Sequence, residues 1–160
     1  MSSQVLRPQV SRDHGVEAWI RLLRSHAALT RELSARLEAR HGLSLRDYDV
    51  LVQLYRAPGR RLRRIDLARS VILSPSGITR LLDGLERAGW VAKDECPSDA
   101  RVTYAVLTES GAETFERAEV EHRADIQEVF GSRFTAEECE RLEELLGRLP
   151  LADAGACNGE

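Results

Sequence analysis

Apolar residues recur at helical spacing in the first and last parts of the chain. Between residues 16 and 40 they form one stripe of Ala18, Trp19, Leu22, Leu23, His26, Leu29, Leu33 and Leu37. A period near 3.6 residues predicts a long amphipathic helix here, ending before Gly42. Similar patterns predict further helices over residues 45–56, 109–130 and 136–149. The chain is therefore predicted to be mostly helical.

Capping residues mark where several of these helices begin. Ser44 precedes Asp47, and Thr135 precedes Glu138, with the spacing of a capping box. Ser74 followed by Pro75 is typical of an N-cap with proline at the first helical position, where the missing N–H costs nothing. A recognition-type helix is therefore predicted to begin after Ser74.

The middle of the chain changes from helical to strand-like pattern. RRIDLARSVILS predicts a short helix and a tight turn, and the next helix carries an apolar stripe of Ile78, Leu81, Leu82 and Leu85 up to a stop at Gly89. Residues 90–93 and 102–107 have strand composition, and CPSDA between them is turn-forming. Thr108 is placed to cap the following helix. This order predicts a helix-turn-helix followed by a β-hairpin wing.

The predicted fold is mainly α with a small β-hairpin wing (α+β). A winged helix-turn-helix over 45–107 is flanked by long helices over 16–40 and 109–149, in a single domain over 13–149, and the ends 1–12 and 151–160 are expected to be flexible. Apolar stripes on helices this long exceed what so small a domain can bury. We therefore expect a homodimer with a two-fold axis, and a palindromic operator with half-sites roughly 34 Å apart.

The wing carries a recognisable motif. The run that contains Asp99, Arg101, Leu107, Thr108 and Gly111 resembles the wing signature of the multiple-antibiotic-resistance regulator (MarR) family, and ITRLLDGLERAGWV resembles its recognition helix. The resemblance extends from about residue 16 to residue 149. It implies a dimeric bacterial transcription regulator, usually a repressor, that a small molecule or an oxidant releases from DNA. Ala100 and Gly84 depart from the commonest family pattern.

Nine residues are candidates for contact with double-stranded DNA: Arg63, Arg64, Ser74, Ser76, Gly77, Thr79, Arg80, Asp99 and Arg101. Short hydroxyl side chains at a helix start suit phosphate or base edges, and Arg80 suits bidentate contact with guanine, or contact with phosphate alone. Arg63 and Arg64 are expected to clamp phosphate, although a charge run is often only a solvated surface.

The wing residues have two readings. The resemblance implies that Arg101 enters the minor groove, with its guanidinium held by Asp99. The alternative is a surface ion pair that merely closes the hairpin.

The resemblance also implies an effector site between the flanking helices and the winged domain. Trp19, His26 and Tyr48 are the aromatic or titratable residues on the two helices expected to line it. Simple core packing is the alternative role for these three side chains.

Charge is distributed unevenly along the chain. The net charge is -3, but residues 56–101 hold ten Arg or Lys against six Asp or Glu, whereas residues 109–149 hold five against twelve. A basic surface for DNA can therefore coexist with an acidic body.

The sequence gives little support to other classes of function. The three cysteines are scattered, the four histidines lack metal-ligand spacing, and neither a phosphate loop nor a catalytic constellation is present. We expect a cytoplasmic protein that is not an enzyme and has no metal, cofactor or membrane span. The alternative to a DNA-binding regulator is a winged-helix module that binds only proteins.

Overall fold

Six α-helices and three strands make up the part of the chain that the computed structural model describes, residues 13–71, 75–96 and 99–149. The helices are α1 (His14–His41), α2 (Leu45–Arg56), α3 (Arg64–Ser70), α4 (Pro75–Arg87), α5 (Glu109–Val129) and α6 (Ala136–Leu146). The strands are β1 (Arg61–Arg63), β2 (Val91–Cys96) and β3 (Asp99–Leu107). The ends 1–12 and 151–160, which were expected to be flexible, lie outside the described residues.

The predicted capping boxes are confirmed. In α2 the Ser44 hydroxyl accepts from the Asp47 N–H at 3.2 Å, and the Asp47 carboxylate accepts from the Ser44 N–H at 2.9 Å. Thr135 and Glu138 repeat the pattern at the start of α6. Each box satisfies two backbone donors that a helix start leaves unpaired, which explains why both boundaries were readable from the sequence.

The hydrophobic core lies between α2, α3, α4, the sheet and the first half of α5. Its fully buried side chains include Leu51, Leu54, Leu67, Leu82 and Leu85. In contrast, α6 buries no residue at all, and the first half of α1 is largely exposed. The winged helix-turn-helix therefore packs on itself, while the flanking helices keep apolar surface in solvent.

The sheet is antiparallel with strand order β1–β3–β2. The predicted hairpin is confirmed, but two details were wrong: the strands are longer than 90–93 and 102–107, and β1 was not predicted. Backbone pairing continues through polar residues up to Cys96 opposite Asp99, with an irregular register after Glu95. Ladder hydrogen bonds form whatever the side chain, so the turn-forming composition of CPSDA overstated the loop.

The end of α6 also differs from the prediction. The helix stops at Leu146 rather than near residue 149, and Gly147 is its C-cap. The backbone N–H of Gly147 still donates to Glu143, but the two residues that follow make only tighter turn bonds. Helix ends commonly tighten in this way, and their position is poorly encoded by apolar periodicity.

The wing joins α5 through Thr108 and Gly111. The Thr108 hydroxyl donates to the Gly89 carbonyl at 2.7 Å and accepts from the Gly111 N–H at 3.0 Å. A Cβ on Gly111 would lie 2.1 Å from the Trp90 carbonyl oxygen, so only glycine permits this approach. These contacts explain two positions of the wing motif as structural requirements.

A buried carboxylate joins α1 to α5. Asp125 is 4% exposed, and its carboxylate accepts from Arg36 at 2.9 Å and from Arg40 at 3.0 Å. Burial alone would raise the pKa of Asp125, but the two guanidiniums outweigh burial and hold that pKa below its ordinary value. The charged pair thus fixes the second half of α1 against α5.

Two kinds of feature are absent from the described ranges. None of the described helices is both long and apolar enough to cross a membrane. Within those same ranges no three His, Cys, Asp or Glu side chains come together as a metal site would require.

Candidate DNA interface

The predicted recognition helix α4 is two-sided. Ile78, Leu82 and Leu85 face the core and are almost fully buried, as the apolar stripe predicted. Thr79, Arg80, Asp83 and Arg87 are exposed on the other side. The helix is thus held by its inner surface and presents polar side chains outward, as direct contact with DNA bases requires.

Helix α4 contains four of the predicted DNA-binding residues, Ser76, Gly77, Thr79 and Arg80. Thr79 and Arg80 are exposed, and Gly77 is half-buried. Ser74 and the side chain of Ser76 lie outside the described residues. The structure therefore brings Thr79 and Arg80 together on one surface, and their contact with DNA remains a prediction.

Arg64 links the two helices of the helix-turn-helix. Its guanidinium donates to the Glu86 carboxylate in a partly buried ion pair, joining the first residue of α3 to the last turn of α4. A phosphate contact was predicted for Arg64 and is not tested. The pairing with Glu86 ties the start of α3 to the end of α4.

Arg63 is more accessible than Arg64. Its side chain is half exposed, and its Nε lies 3.9 Å from the Asp66 carboxylate, the next acidic group along α3. Such an exposed, long ion pair contributes little to stability, so it leaves the guanidinium available to another partner. The predicted phosphate contact of Arg63 stays a prediction.

The two preceding arginines have partners that the sequence did not reveal. The Arg60 guanidinium lies over the Tyr55 ring at 5.2 Å and pairs with Glu109 at 3.2 Å. The Arg61 guanidinium lies over the Tyr104 ring at 3.9 Å. The stacking of Arg61 on Tyr104 has no signal in the sequence because it depends on β1, a strand of three residues that pairs with residues 104–106.

The wing tip is described only in part. The backbone of Asp99 and Arg101 belongs to β3. Their side chains lie outside the described residues, so both the groove contact of Arg101 and its pairing with Asp99 remain predictions.

Comparisons with known proteins agree with this architecture. The sequence model of the MarR family matches residues 43–103. The regulator MhqR of Bacillus subtilis is 28% identical over 139 residues, covering 87% of this chain and 93% of MhqR. The MarR family regulator AbsC of Streptomyces coelicolor is 32% identical, with 85% of this chain and 91% of AbsC covered and a TM-score of 0.78.

This chain belongs to the MarR family. A second Streptomyces coelicolor member, Sco3205, whose crystal structure contains DNA, has a TM-score of 0.79 at 28% identity over 90% of this chain and 93% of its own. The resemblance seen in the wing and the recognition helix is thus confirmed. The chain is a transcriptional regulator of the MarR type, and its homologues are regulators rather than enzymes.

The three residues predicted for an effector site lie in two different places. Tyr48 packs against α5, where its ring is 4.6 Å from His122 and its hydroxyl hydrogen-bonds to Glu119. Trp19 is 57% exposed and His26 is exposed, both in the first half of α1. Arg36 is where α1 contacts α5, the helix against which Tyr48 packs. At about 1.5 Å per residue, Trp19 lies roughly 25 Å along α1 from Arg36. Within a single chain, Trp19 is therefore far from Tyr48. The effector role of all three residues stays a prediction.

His122 is a buried residue that the sequence did not single out. It is 5% exposed, and its Nδ1 has no hydrogen-bond partner among the described residues. Burial lowers the pKa of His122, although the neighbouring carboxylates of Asp125 and Glu119 act in the opposite direction. Burial and the Glu119 carboxylate together raise the pKa of Tyr48, so its phenol stays protonated. A neutral histidine and a neutral phenol therefore meet where α2 contacts α5.

Proposed function

We propose that this protein is a homodimeric, cytoplasmic transcription repressor that binds a palindromic operator in double-stranded DNA and is released by a small molecule or a stress signal. The observation that carries the DNA-binding part is the two-sided α4. Its inner surface packs in the core, and its outer surface exposes Thr79 and Arg80. A helix held in this way can enter the major groove without losing its support.

Charge supports the same assignment. The stretch 56–101, which contains the helix-turn-helix and the wing, holds ten basic against six acidic residues. Phosphate neutralisation supplies much of the affinity for DNA, so a basic segment in an acidic protein marks the side that faces DNA. The MarR family regulator Sco3205, which has a similar fold, was crystallised in complex with DNA, and this supports DNA binding by the present chain.

Exposed apolar residues support the homodimer. On α1 they are Val16, Trp19, Leu22 and Leu23, and on and after α6 they are Leu145, Leu146 and Leu149. Several large apolar side chains exposed at nearby positions of one element favour an interface, since large exposed apolar patches are rare on soluble monomers. A second copy related by two-fold symmetry would cover both sets and repeat α4 at the next turn of DNA.

Release by a signal is supported by one contact, the one between α2 and α5. Tyr48 and His122 lie where α2 of the winged part meets α5, one helical turn from the Asp125 carboxylate that holds α1. A ligand that displaced the Tyr48 ring would therefore act on both the winged part and the flanking helices. Such a shift between two arrangements is what release from DNA requires.

Binding-site selection on random double-stranded DNA tests the proposal, followed by fluorescence anisotropy on the selected operator at several salt concentrations. Arg80→Ala should cost about 1–3 kcal/mol and relax sequence preference at one position in each half-site. Arg123→Ala is the matched control, because it removes the same charge from an exposed position of α5. It should bind like the parent.

Two outcomes would contradict the proposal. Equal, sequence-independent losses for Arg80→Ala and Arg123→Ala would remove the base-reading role of Arg80. The absence of any salt-dependent DNA binding by the parent would favour the winged-helix module that binds only proteins.

A further inference from the structure

Arg61 spans all three strands on the solvent side of the sheet. It lies in β1, its guanidinium stacks on the Tyr104 ring of β3 at 3.9 Å, and its Nη2 is 3.1 Å from the Asp94 carboxylate of β2. Tyr104 lies opposite Asp94 in the strand register, so the ring and the carboxylate form adjacent parts of one surface. Arg61 is thus held from two sides.

The position of this contact matters because of what lies beyond it. The last pair between β1 and β3 is Arg63 with Tyr104, and further toward the tip only β2 and β3 continue. An isolated two-stranded ribbon is marginally stable in water and bends easily. The direction of the wing therefore depends on how its base is held.

The base is also where the wing meets the helix-turn-helix. β1 ends at Arg63, and α3 begins at the next residue, Arg64. A contact from β1 to β2 thus ties the outer wing strand to the start of α3, independently of the turn that joins α4 to β2. The contact therefore lies at the junction between the wing and the helix-turn-helix.

We propose that Arg61, Tyr104 and Asp94 form a brace that positions the wing for DNA binding, with Arg61 as the positioning residue. This inference rests on the proposed DNA-binding function. A phosphate contact by Arg61 would also make the arginine important, and the two roles differ in what they predict for Asp94.

Asp94 separates the two roles by the sign of its effect. Removing a carboxylate near DNA strengthens binding if charge alone matters, because repulsion from phosphate decreases. If Asp94 holds the brace, its removal frees the guanidinium and the wing, and binding weakens. Glu95 offers a matched control: it is the next residue on β2, is more exposed, and pairs with Lys93 instead.

The experiment measures affinity of the full chain for the selected operator by fluorescence anisotropy, with thermal melting to show that each variant folds. Asp94→Ala should weaken binding by about threefold to tenfold, in proportion to one partly exposed ion pair and one stacked cation. Glu95→Ala should bind as tightly as the parent or more tightly. The double variant Arg61→Ala with Asp94→Ala should bind no more weakly than Arg61→Ala alone.

If Asp94→Ala unfolds at too low a temperature for a binding measurement, substitutions of Tyr104 test the brace independently. Tyr104→Phe keeps the ring beneath the guanidinium and should bind like the parent, whereas Tyr104→Leu should weaken binding as Asp94→Ala does. Binding by Asp94→Ala that equals or exceeds that of Glu95→Ala would overturn the brace. Failure of the parent to bind any DNA would instead overturn the proposed function.

Discussion

At the scale of single residues, burial of His122 makes the stability of the fold depend on pH. Burial lowers the pKa of His122 below its ordinary value of 6.5. As the pH falls through that value, His122 becomes protonated in the unfolded chain while it stays neutral in the folded chain. Its contribution to the free energy of unfolding is therefore fully present above about pH 6.5 and decreases below that pH.

We expect His122→Gln to reduce this pH dependence. Between about pH 7.5 and about pH 5.5 the parent should lose up to about 1 kcal/mol more stability than the variant, because glutamine cannot titrate. Denaturant unfolding at the two pH values measures the difference. Identical slopes for the parent and His122→Gln would contradict the prediction.

Replacing glycine by alanine is expected to have opposite effects on the free energy of unfolding at two positions. A Cβ on Gly84 would have no neighbour within 4 Å, and the residue lies inside α4, where alanine favours the helix. Gly84→Ala should raise the free energy of unfolding by about 0.5–1 kcal/mol. Gly111→Ala should lower it by about 1–3 kcal/mol, since its Cβ would overlap the Trp90 carbonyl. Thermal unfolding of both variants tests the pair, and changes of the same sign would refute it.

At the scale of elements, what the sequence predicted well is what local chemistry encodes. The predicted bounds of α2 match the structure because Ser44 and Asp47 cap its start and the apolar stripe continues to its end. The wing hairpin was predicted because its flanking apolar residues are close in sequence. The absence of β1 from the prediction has the opposite cause, since its three residues become a strand only through pairing with residues more than forty positions away.

In the candidate site, too, locally encoded features were predictable, and features that depend on distant residues were not. The outer surface of α4 was predicted from helical periodicity, and its exposure is confirmed. Within the run of arginines between residues 60 and 64, Arg63 and Arg64 were expected to clamp phosphate, with a merely solvated surface as the alternative. In the folded chain Arg60, Arg61 and Arg64 each take an acidic partner from a distant element. Long-range pairing of this kind has no periodic signal in the sequence.

At the scale of the whole molecule, apolar surface and charge are divided between two ends. The winged part is self-contained, with its leucines buried and its basic residues outside. The other end exposes Trp19 on α1 and a groove of about 550 Å³ between the end of α5 and α6, lined mainly by Phe130, Leu142 and Leu146. Helix α6 carries five glutamates, of which Glu143 lines the groove, whereas the first half of α1 carries Arg21 and Arg24. Opposite charge on these two elements would favour their contact across the proposed homodimer interface.

A homodimer through this end predicts a mass of twice 17.9 kDa in sedimentation at micromolar concentration. Trp19→Glu should shift the population toward monomer, because a charge buried against apolar side chains of a second copy is costly. Ile65→Glu is the matched control: Ile65 is similarly exposed but lies on α3, in the winged part. It should leave the mass unchanged. If both variants sediment like a dimeric parent, the exposed surface of α1 is not the interface, and a monomeric parent that binds its operator tightly would exclude the homodimer itself.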